Sequence, residues 1–250
     1  SKSFLFIRTI SGPTVVLPKP VEGKDDMRSE ARVIDLSRTE YRIDAPTDTH
    51  RLIRNTFQLL ALSTGIAAAG AGISMLVGLG PLAGIACTLL GLIPLFYLHR
   101  KRNTAAAVPA MLTFTGLSGL GLGPTLSHYL SMPGGSATVL SAAALTTAVT
   151  LALTAYVQRT GKDFSRMGGF LFGGLVIVLL TSIVALFVPA LQIGVSALAA
   201  LLFSGFILHD TSRLLRGEED NYVMAACGMY LNVLNLFLAV LQLLGLSIDD

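Results

Sequence analysis

Charged residues are scarce in this chain and are missing from most of its length. They make up 13% of the 250 residues, against about 25% in an average soluble domain. An uncharged apolar run of roughly 20 residues is long enough to span a bilayer, so this pattern excludes a soluble globular domain. The runs leave room for seven spans, and we expect an all-α membrane protein. The blocks without Asp, Glu, Lys or Arg are Asn55–His99, Asn103–Gln158, Met167–His209 and Asn221–Ile248.

Cysteine is nearly absent as well, with only Cys87 and Cys227 in the chain. Both fall inside predicted spans, where an isolated thiol is most simply a small packing residue. Two lone cysteines exclude a disulfide framework, and a metal site needs more ligands at closer spacing. We therefore expect neither a metal nor a cofactor.

The first 50 residues differ in composition from the rest. They hold eight basic and eight acidic residues and few apolar ones after Leu17. Such a segment buries too little apolar surface to offset the entropy of ordering. The apolar run Phe4–Ile7 is also shorter than the roughly 7–15 residues of a signal-peptide core. We expect a flexible tail over residues 1–49 and a transmembrane domain over residues 50–250.

Apolar runs and turn residues set the approximate spans. Small residues at helical spacing within them let a neighbouring helix approach closely. The spans are Thr56–Leu79, Leu82–Leu98, Ala105–Tyr129, Ser136–Val157, Met167–Val188, Gln192–Leu215 and Tyr222–Leu246. The small-residue sets are Gly65, Ala69 and Gly72 in the first span, Gly119 and Gly123 in the third, and Gly169 and Gly173 in the fifth.

Lysine and arginine lie on one side of this predicted topology. With seven spans, all ten that follow the tail fall on the side of the N-terminus, whereas the opposite turns near Gly80, Met132 and Pro189 carry none. Because cytoplasmic loops are enriched in Lys and Arg, we expect a cytoplasmic N-terminus and a periplasmic C-terminus. The ten residues are Arg51, Arg54, Arg100, Lys101, Arg102, Arg159, Lys162, Arg166, Arg213 and Arg216.

Polar side chains interrupt the last two predicted helices. Asp210 lies about 9 Å from the Arg216 end of the sixth helix, and Asn232 about 16 Å from the start of the seventh, so their depths differ by about one turn. Asn232, Asn235 and Gln242 are spaced to share one face. Lipid cannot satisfy these groups, so they must face protein, a cavity or each other. For the amides, hydrogen bonding between helices and an ion site are both open.

Asp210 is the candidate ion-binding or pH-sensing residue, together with Asn232 and Asn235. A carboxylate at this depth is costly to bury and is commonly functional. The structural alternative is a local pair with Arg213, three residues further along the same helix. The other possible counter-charges, at the predicted cytoplasmic membrane edge, are Arg54 and Arg100.

The segment Gly116-Leu117-Ser118-Gly119 looks like the Gly-x-Ser-Gly motif of rhomboid intramembrane proteases. Such a serine needs a histidine on a later helix to activate it, and His128 and His209 are the candidates besides His99. The short pattern arises readily in a helix rich in Gly and Ser, and no companion oxyanion motif occurs. We interpret Ser118 as a packing residue and expect no enzymatic activity.

Five motifs resemble the Bax inhibitor-1 family, and together they cover about His50–Asp250. The entry into the first span is similar to the bacterial YccA-like branch of that family. The motifs are His50–Phe57, Phe114-Thr115-Gly116 with Gly123-Pro124-Thr125-Leu126, Phe206–Ser212, Gly217-Glu218 with Asn221-Tyr222, and Met229–Leu238.

This resemblance implies a seven-helix fold in which the last helix is central and surrounded by the other six. Some members of the family are pH-sensitive calcium leak channels that use two facing aspartates on the last two long helices. Here the first position is Asp210, but the second is Asn232, an amide. Two carboxylates held together share a proton, whereas an aspartate facing an asparagine does not do so in the same way. Any pH response is therefore expected to be shallower.

The YccA-like branch implies a different role, as partner, modulator and slowly degraded substrate of FtsH, a membrane-anchored ATP-dependent protease. The protease takes hold of the cytoplasmic N-terminal tail, and residues 1–49 suit that role. We expect a multi-pass protein of the bacterial inner membrane that modulates FtsH. The alternative is a pH-sensitive calcium or cation leak channel that uses Asp210. Nucleic acid is not an expected partner, because the basic residues lie beside membrane spans.

Overall fold

The computed structural model describes residues 46–246, which form seven α-helices joined by short connections. Most of the predicted tail lies outside the described residues, and residues 46–49 are already helical. Short 3₁₀ turns lie at Ser165–Met167 and Pro189–Leu191. The helices are α1 (Pro46–Val77), α2 (Pro81–Arg100), α3 (Ala107–Leu130), α4 (Gly135–Thr160), α5 (Gly168–Ala185), α6 (Gln192–Leu215) and α7 (Tyr222–Leu246).

The all-helical prediction is confirmed for the described residues, and the last two helices match the predicted segments residue for residue. The largest difference is at the start of α1, which begins at Pro46 rather than near Thr56. Its first turns are polar and extend beyond the apolar run from which the span was predicted. Proline is well suited to the first turn of a helix, because its missing N–H has no partner to lose there.

Six of the seven described helices are long and apolar enough to cross a membrane, and α3 is the exception. Several Gly, Ser and Thr residues dilute its apolar character. Its 24 residues nevertheless extend over about 36 Å, enough to cross the hydrocarbon core. It packs against α2, α4 and α7.

Helix α7 contributes to two hydrophobic clusters. In one, Tyr230 packs with Leu98 of α2 and Met111 of α3. In the other, Leu236 packs with Ile207 of α6 and with partly buried residues of α4. Of the most apolar window of α7, 44% is buried, against 11–28% in the other five candidate spans. Helix α7 is therefore the most enclosed of these six, and it packs against α3, α4 and α6.

The close approach of α1 and α3 depends on glycine. A Cβ added to Gly70 would lie 2.8 Å from the carbonyl oxygen of Gly116. One added to Gly119 would overlap the backbone of Ala67, including its Cα at 2.7 Å. The close-packing prediction for Gly119 in α3 is therefore confirmed.

The predicted packing face of α1 was wrong. Around Gly65 and Gly72 an added Cβ would meet no atom within 4 Å, and Ala69 is exposed. Helix α1 is rich in small residues on all sides, so their spacing does not identify the side that meets α3. Gly169 and Gly173 of α5 also have open space around them. The buried Gly, Ala and Ser residues of α1 are Ser63, Ala67, Gly70, Ala71 and Ser74.

The connections α2–α3, α4–α5 and α6–α7 meet at one end of the helices, which we call the basic end. The Asn221 side chain caps α7 by accepting from the backbone N–H of Val223 and Met224, and its Nδ2 donates to the carbonyl of Arg102 at 2.7 Å. Arg216 donates to the carbonyl of Gly161 at 3.1 Å. The α6–α7 connection thus holds both neighbouring connections in place.

Asp163 contributes to the same arrangement. Its carboxylate accepts from the hydroxyl and the backbone N–H of Ser165, at 2.7 and 2.9 Å, and lies 3.3 Å from Nε of Arg216. The two hydrogen bonds from Ser165, followed by the charges of Arg216 and Arg166, hold the pKa of this carboxyl below its ordinary value. Asp163 is therefore an anion that partly offsets the basic residues around it.

Candidate functional site

Asp210 and Asn232 meet directly between α6 and α7. Nδ2 of Asn232 donates to Oδ2 of Asp210 at 2.7 Å. The predicted offset of about one turn is closed by the direction of the side chains, because each leans toward the N-terminus of its own helix. Since the two helices are antiparallel, Asp210 leans away from the basic end and Asn232 leans toward it. Two residues at different heights therefore come into contact.

His209 is the second partner of Asp210. Its Nδ1 lies 2.9 Å from Oδ1 of Asp210, and the two side chains are 11% and 23% exposed. With Nδ1 protonated the ring donates to the carboxylate, which therefore has a donor on each oxygen. Sequence reasoning did not include His209 in this site. Adjacent residues of a helix point about 100° apart, so helical spacing gave no signal for this contact.

Two glycines border the pair. A Cβ at Gly228, one turn before Asn232 on α7, would lie 3.2 Å from Oδ2 of Asp210. A Cβ at Gly168, at the start of α5, would lie 3.0 Å from Nε2 of His209. The backbone of α5 and α7 thus closes around the polar groups, and larger residues at these positions would crowd them.

One of the predicted counter-charges, Arg213, pairs with other residues. Arg213 faces the α6–α7 connection, with its guanidinium 3.9 Å from Glu218 and 3.6 Å from Glu219. Within residues 46–246, no arginine lies within 4.0 Å of the Asp210 carboxylate. Arg54 and Arg100 stay predictions as counter-charges, and in the structure the Asp210 carboxylate is paired with Asn232 and His209.

Asn235 lies on a different side of α7 from Asn232. Its Nδ2 donates to the carbonyl of Leu231 at 2.7 Å, and its side chain lines a cavity of about 770 Å³ between α2, α3 and α7. The expected shared face is thus divided, because α7 has protein on several sides and each side meets a different helix. The structure brings Asn232 to Asp210 and leaves Asn235 apart.

The Ser118 hydroxyl is engaged with its own helix. Its Oγ donates to the carbonyl of Phe114 at 2.9 Å, and the residue is buried. Ser118 lies beside Tyr230 of α7 and also lines the cavity between α2, α3 and α7. This position agrees with its interpretation as a packing residue.

The chemistry of the site follows from its three side chains. One carboxylate, one amide and one imidazole can hold a proton or orient water, but they provide a single anionic ligand. A calcium ion usually takes 6–8 oxygen ligands. In the described part of the chain, no group of three or more His, Cys, Asp or Glu is arranged to hold a metal ion.

Most of the chain matches known proteins. The family model described as "Inhibitor of apoptosis-promoting Bax1" matches residues 49–249. The chain belongs to the Bax inhibitor-1 family. This confirms the resemblance seen in the sequence motifs.

Bacterial members of the Bax inhibitor-1 family match most of this chain. An uncharacterized membrane protein of Vibrio cholerae is 39% identical over 207 residues, covering 82% of this chain and 93% of its own length. An uncharacterized protein of Pseudomonas aeruginosa is 37% identical over 202 residues, covering 80% and 90%. A protein of Escherichia coli K12 named "Modulator of FtsH protease YccA" is 36% identical over 205 residues, covering 81% and 93%. These matches and the apolar helices support a multi-pass protein of the inner membrane.

Proposed function

We propose that this protein modulates an FtsH-type membrane protease and is also a slow substrate of it. The observation that carries the proposal is the similarity to YccA, which extends over 93% of that relative. Relatives that share nearly their whole length share the same set of helices, so an activity of that protein can be transferred as a unit. An interaction role also fits the family's membrane-embedded helices better than catalysis does.

We further propose that all seven helices span the membrane, that α7 is the central one, and that the basic end faces the cytoplasm. The burial of α7 and its contacts with three other helices support the central position. The length of α3 supports a seventh span. The positive charge at the basic end supports the orientation, because cytoplasmic loops are enriched in Lys and Arg.

Reporter fusions test the orientation. A reporter that is active only in the periplasm should be active when fused after Asp250 and inactive when fused into the α4–α5 connection. The physical reason is the one-sided distribution of Lys and Arg. A C-terminal reporter active only in the cytoplasm would contradict the topology.

Removal of the tail tests the protease proposal. Without residues 1–49 the protein should have a longer half-life in cells with active FtsH, because an ATP-dependent protease needs an accessible segment to start from. The measurement is a chase after synthesis is stopped. The same truncation in cells with a catalytically inactive protease is the control, and no difference is expected there. Since residues 46–49 belong to α1, a second variant lacking residues 1–45 separates loss of the tail from damage to this helix.

Pull-down of the tagged full-length and truncated proteins completes this test. The full-length protein should retain FtsH-type protease, and the truncated one should retain less. An unchanged half-life with active protease, together with unchanged capture, would reject the tail as the segment that the protease engages.

We propose a cation leak as the second candidate, and the Asp210–Asn232 hydrogen bond locates the position at which it can be tested. The bond places an amide where a second carboxylate would share a proton with Asp210. Asn232→Asp should therefore create or sharpen a proton-dependent calcium flux in liposomes, because two coupled carboxylates titrate as a pair. Calcium flux against pH is measured for the parent, Asp210→Ala and Asn232→Asp.

Asn235→Asp is the matched control for this flux measurement. It makes the same chemical change on the same helix, but on the side that faces α2 and α3. It should leave the pH dependence as in the parent. If the parent already shows a steep pH-gated flux that Asp210→Ala leaves intact, Asp210 is not the site and the polar residues serve helix packing.

A further inference from the structure

Four buried threonine hydroxyls lie on α4 and α6, two helices that pack against each other. Thr146, Thr150 and Thr154 follow one another at four-residue spacing on α4, and Thr211 lies on α6. Their Oγ1 atoms are buried and have no hydrogen-bond partner in the described part of the chain. Thr146, Thr154 and Thr211 are 3%, 7% and 1% exposed. We call these four residues the threonine stripe.

The neighbouring Thr147 shows that this arrangement is not simply what threonine does in a helix. Its Oγ1 donates to the carbonyl of Ala143 at 2.8 Å, the usual way for a helix to satisfy a hydroxyl. Thr56, Thr64 and Thr88 bond the carbonyl four residues back in the same way. The hydroxyls of the stripe instead leave their own backbone unbonded.

A cavity lies at each end of the stripe. Thr146 lines one of about 220 Å³ between α1, α3, α4 and α7, which Tyr230 and Val233 also line. At the basic end, Val157 and Ser212 line another of about 330 Å³ between α4 and α6. Val157 is three residues after Thr154, and Ser212 directly follows Thr211. The stripe therefore runs between the two cavities.

Helix α4 lies against the two helices that carry the Asp210–Asn232 pair. Helix α4 packs against both α6 and α7, and its Val149 and Leu153 contact the cluster around Ile207 and Leu236. Helix α4 thus forms the third side of the region between α6 and α7.

The hydroxyls of the stripe need a hydrogen-bond partner. A buried hydroxyl without a partner is costly, and lipid provides no substitute. Internal water binds where several polar groups converge beside sufficient space, and one molecule needs only about 10–15 Å³ of cavity volume. Both cavities are many times larger. We propose that the threonine stripe binds a file of water molecules that runs along α4 between the two cavities.

The charges at the entrance favour water over a cation. Lys162 and Arg216 line the cavity at the basic end, and like charge repels a cation there. The stripe itself offers hydroxyls and no carboxylate. The inference does not depend on either proposed function, since it rests on the hydroxyls and the cavities alone.

Cysteine labelling tests the water file. Thr150→Cys and Thr154→Cys are made in the full-length protein in lipid nanodiscs, and their reaction with a small anionic methanethiosulfonate is followed. Thiolate is the reacting species and forms readily only where water reaches the sulfur, so both should react at least about tenfold faster than Leu151→Cys, on the exposed apolar side of α4. The unsubstituted protein, with Cys87 and Cys227, gives the background. Rates no faster than that of Leu151→Cys would overturn the proposal.

Removal of the hydroxyls tests the water file if a cysteine variant fails to fold. Valine has nearly the shape of threonine, so Thr150→Val and Thr154→Val remove the hydroxyl and little else. If water bonds the hydroxyls, each change should lower the melting temperature by a few degrees relative to Thr147→Val. If the stripe is dry, each change removes an unpaired polar group and the melting temperature stays the same or rises, which would overturn the proposal.

Discussion

Gly119→Ala is expected to destabilise the protein strongly, because the added methyl group would occupy the space of the Ala67 backbone. Its Cβ would overlap the Ala67 carbonyl and lie 2.7 Å from the Ala67 Cα. Side-chain rotation cannot relieve this clash, so α1 and α3 must move apart and lose contacts along their length. Overpacking usually costs about 1–3 kcal/mol and occasionally more. If the cost is about 3 kcal/mol, the melting temperature should fall by about 6–12 °C.

Gly173→Ala is the matched control for this variant. An added Cβ at Gly173 of α5 would meet no atom within 4 Å. Alanine also favours a helix by up to about 1 kcal/mol relative to glycine, so stability should be unchanged or slightly higher. Thermal unfolding of both variants in the same detergent gives the comparison. Equal losses in both would mean that the effect comes from general insertion or expression rather than from the α1–α3 contact.

Asn232→Leu is expected to have the second large effect, because it removes the amide donor from the Asp210 carboxylate. Asn232 is 7% exposed and its hydrogen bond is 2.7 Å long. A hydrogen bond to a charged group contributes about 1.5–3 kcal/mol, and a buried acceptor left unsatisfied adds a desolvation penalty. We expect a loss of about 2–4 kcal/mol in the free energy of unfolding.

The double variant Asp210→Leu/Asn232→Leu should be less destabilised than Asn232→Leu alone. With both groups replaced, no carboxylate is left without its amide donor, and such a replacement is often close to neutral. His209 Nδ1 loses its partner in this variant, so Asp210→Leu alone is measured as the reference for that loss. Asn235→Leu serves as the control, since its amide bonds its own helix and should cost little. If the losses of the two single variants simply add in the double variant, the residues are not coupled and the hydrogen bond does not contribute as described.

Much of the fold could be predicted because charged and polar residues mark the ends of the apolar runs. Arg216 and Asn221 flank the last connection, and the α6 and α7 boundaries followed from them. The contact between α1 and α3 could not be predicted in this way. Lipid and protein interior are both apolar, so neither composition nor periodicity showed whether Gly65 or Ala67 faces α3.

For the candidate site, the sequence identified the two helices and their polar residues but not every contact. The carboxylate of Asp210 stood out because any charge in an apolar helix does. Its partner His209 did not, since helical spacing relates residues three or four apart rather than neighbours. The separation of Asn235 from Asn232 depended on which helices surround α7, and that arrangement is set by tertiary packing.

The bond from Asn221 to the carbonyl of Arg102 joins residues 119 positions apart in the chain. A ribosome that adds about 5–20 residues per second needs roughly 6–24 s to cover that distance. By the end of this interval α2 and α3 have been made. The residues of α7 that complete their hydrophobic cluster have not yet been made. The cluster formed by α2, α3 and α7 therefore cannot be complete until α7 has been made. The order of synthesis determines when this part of the core can form.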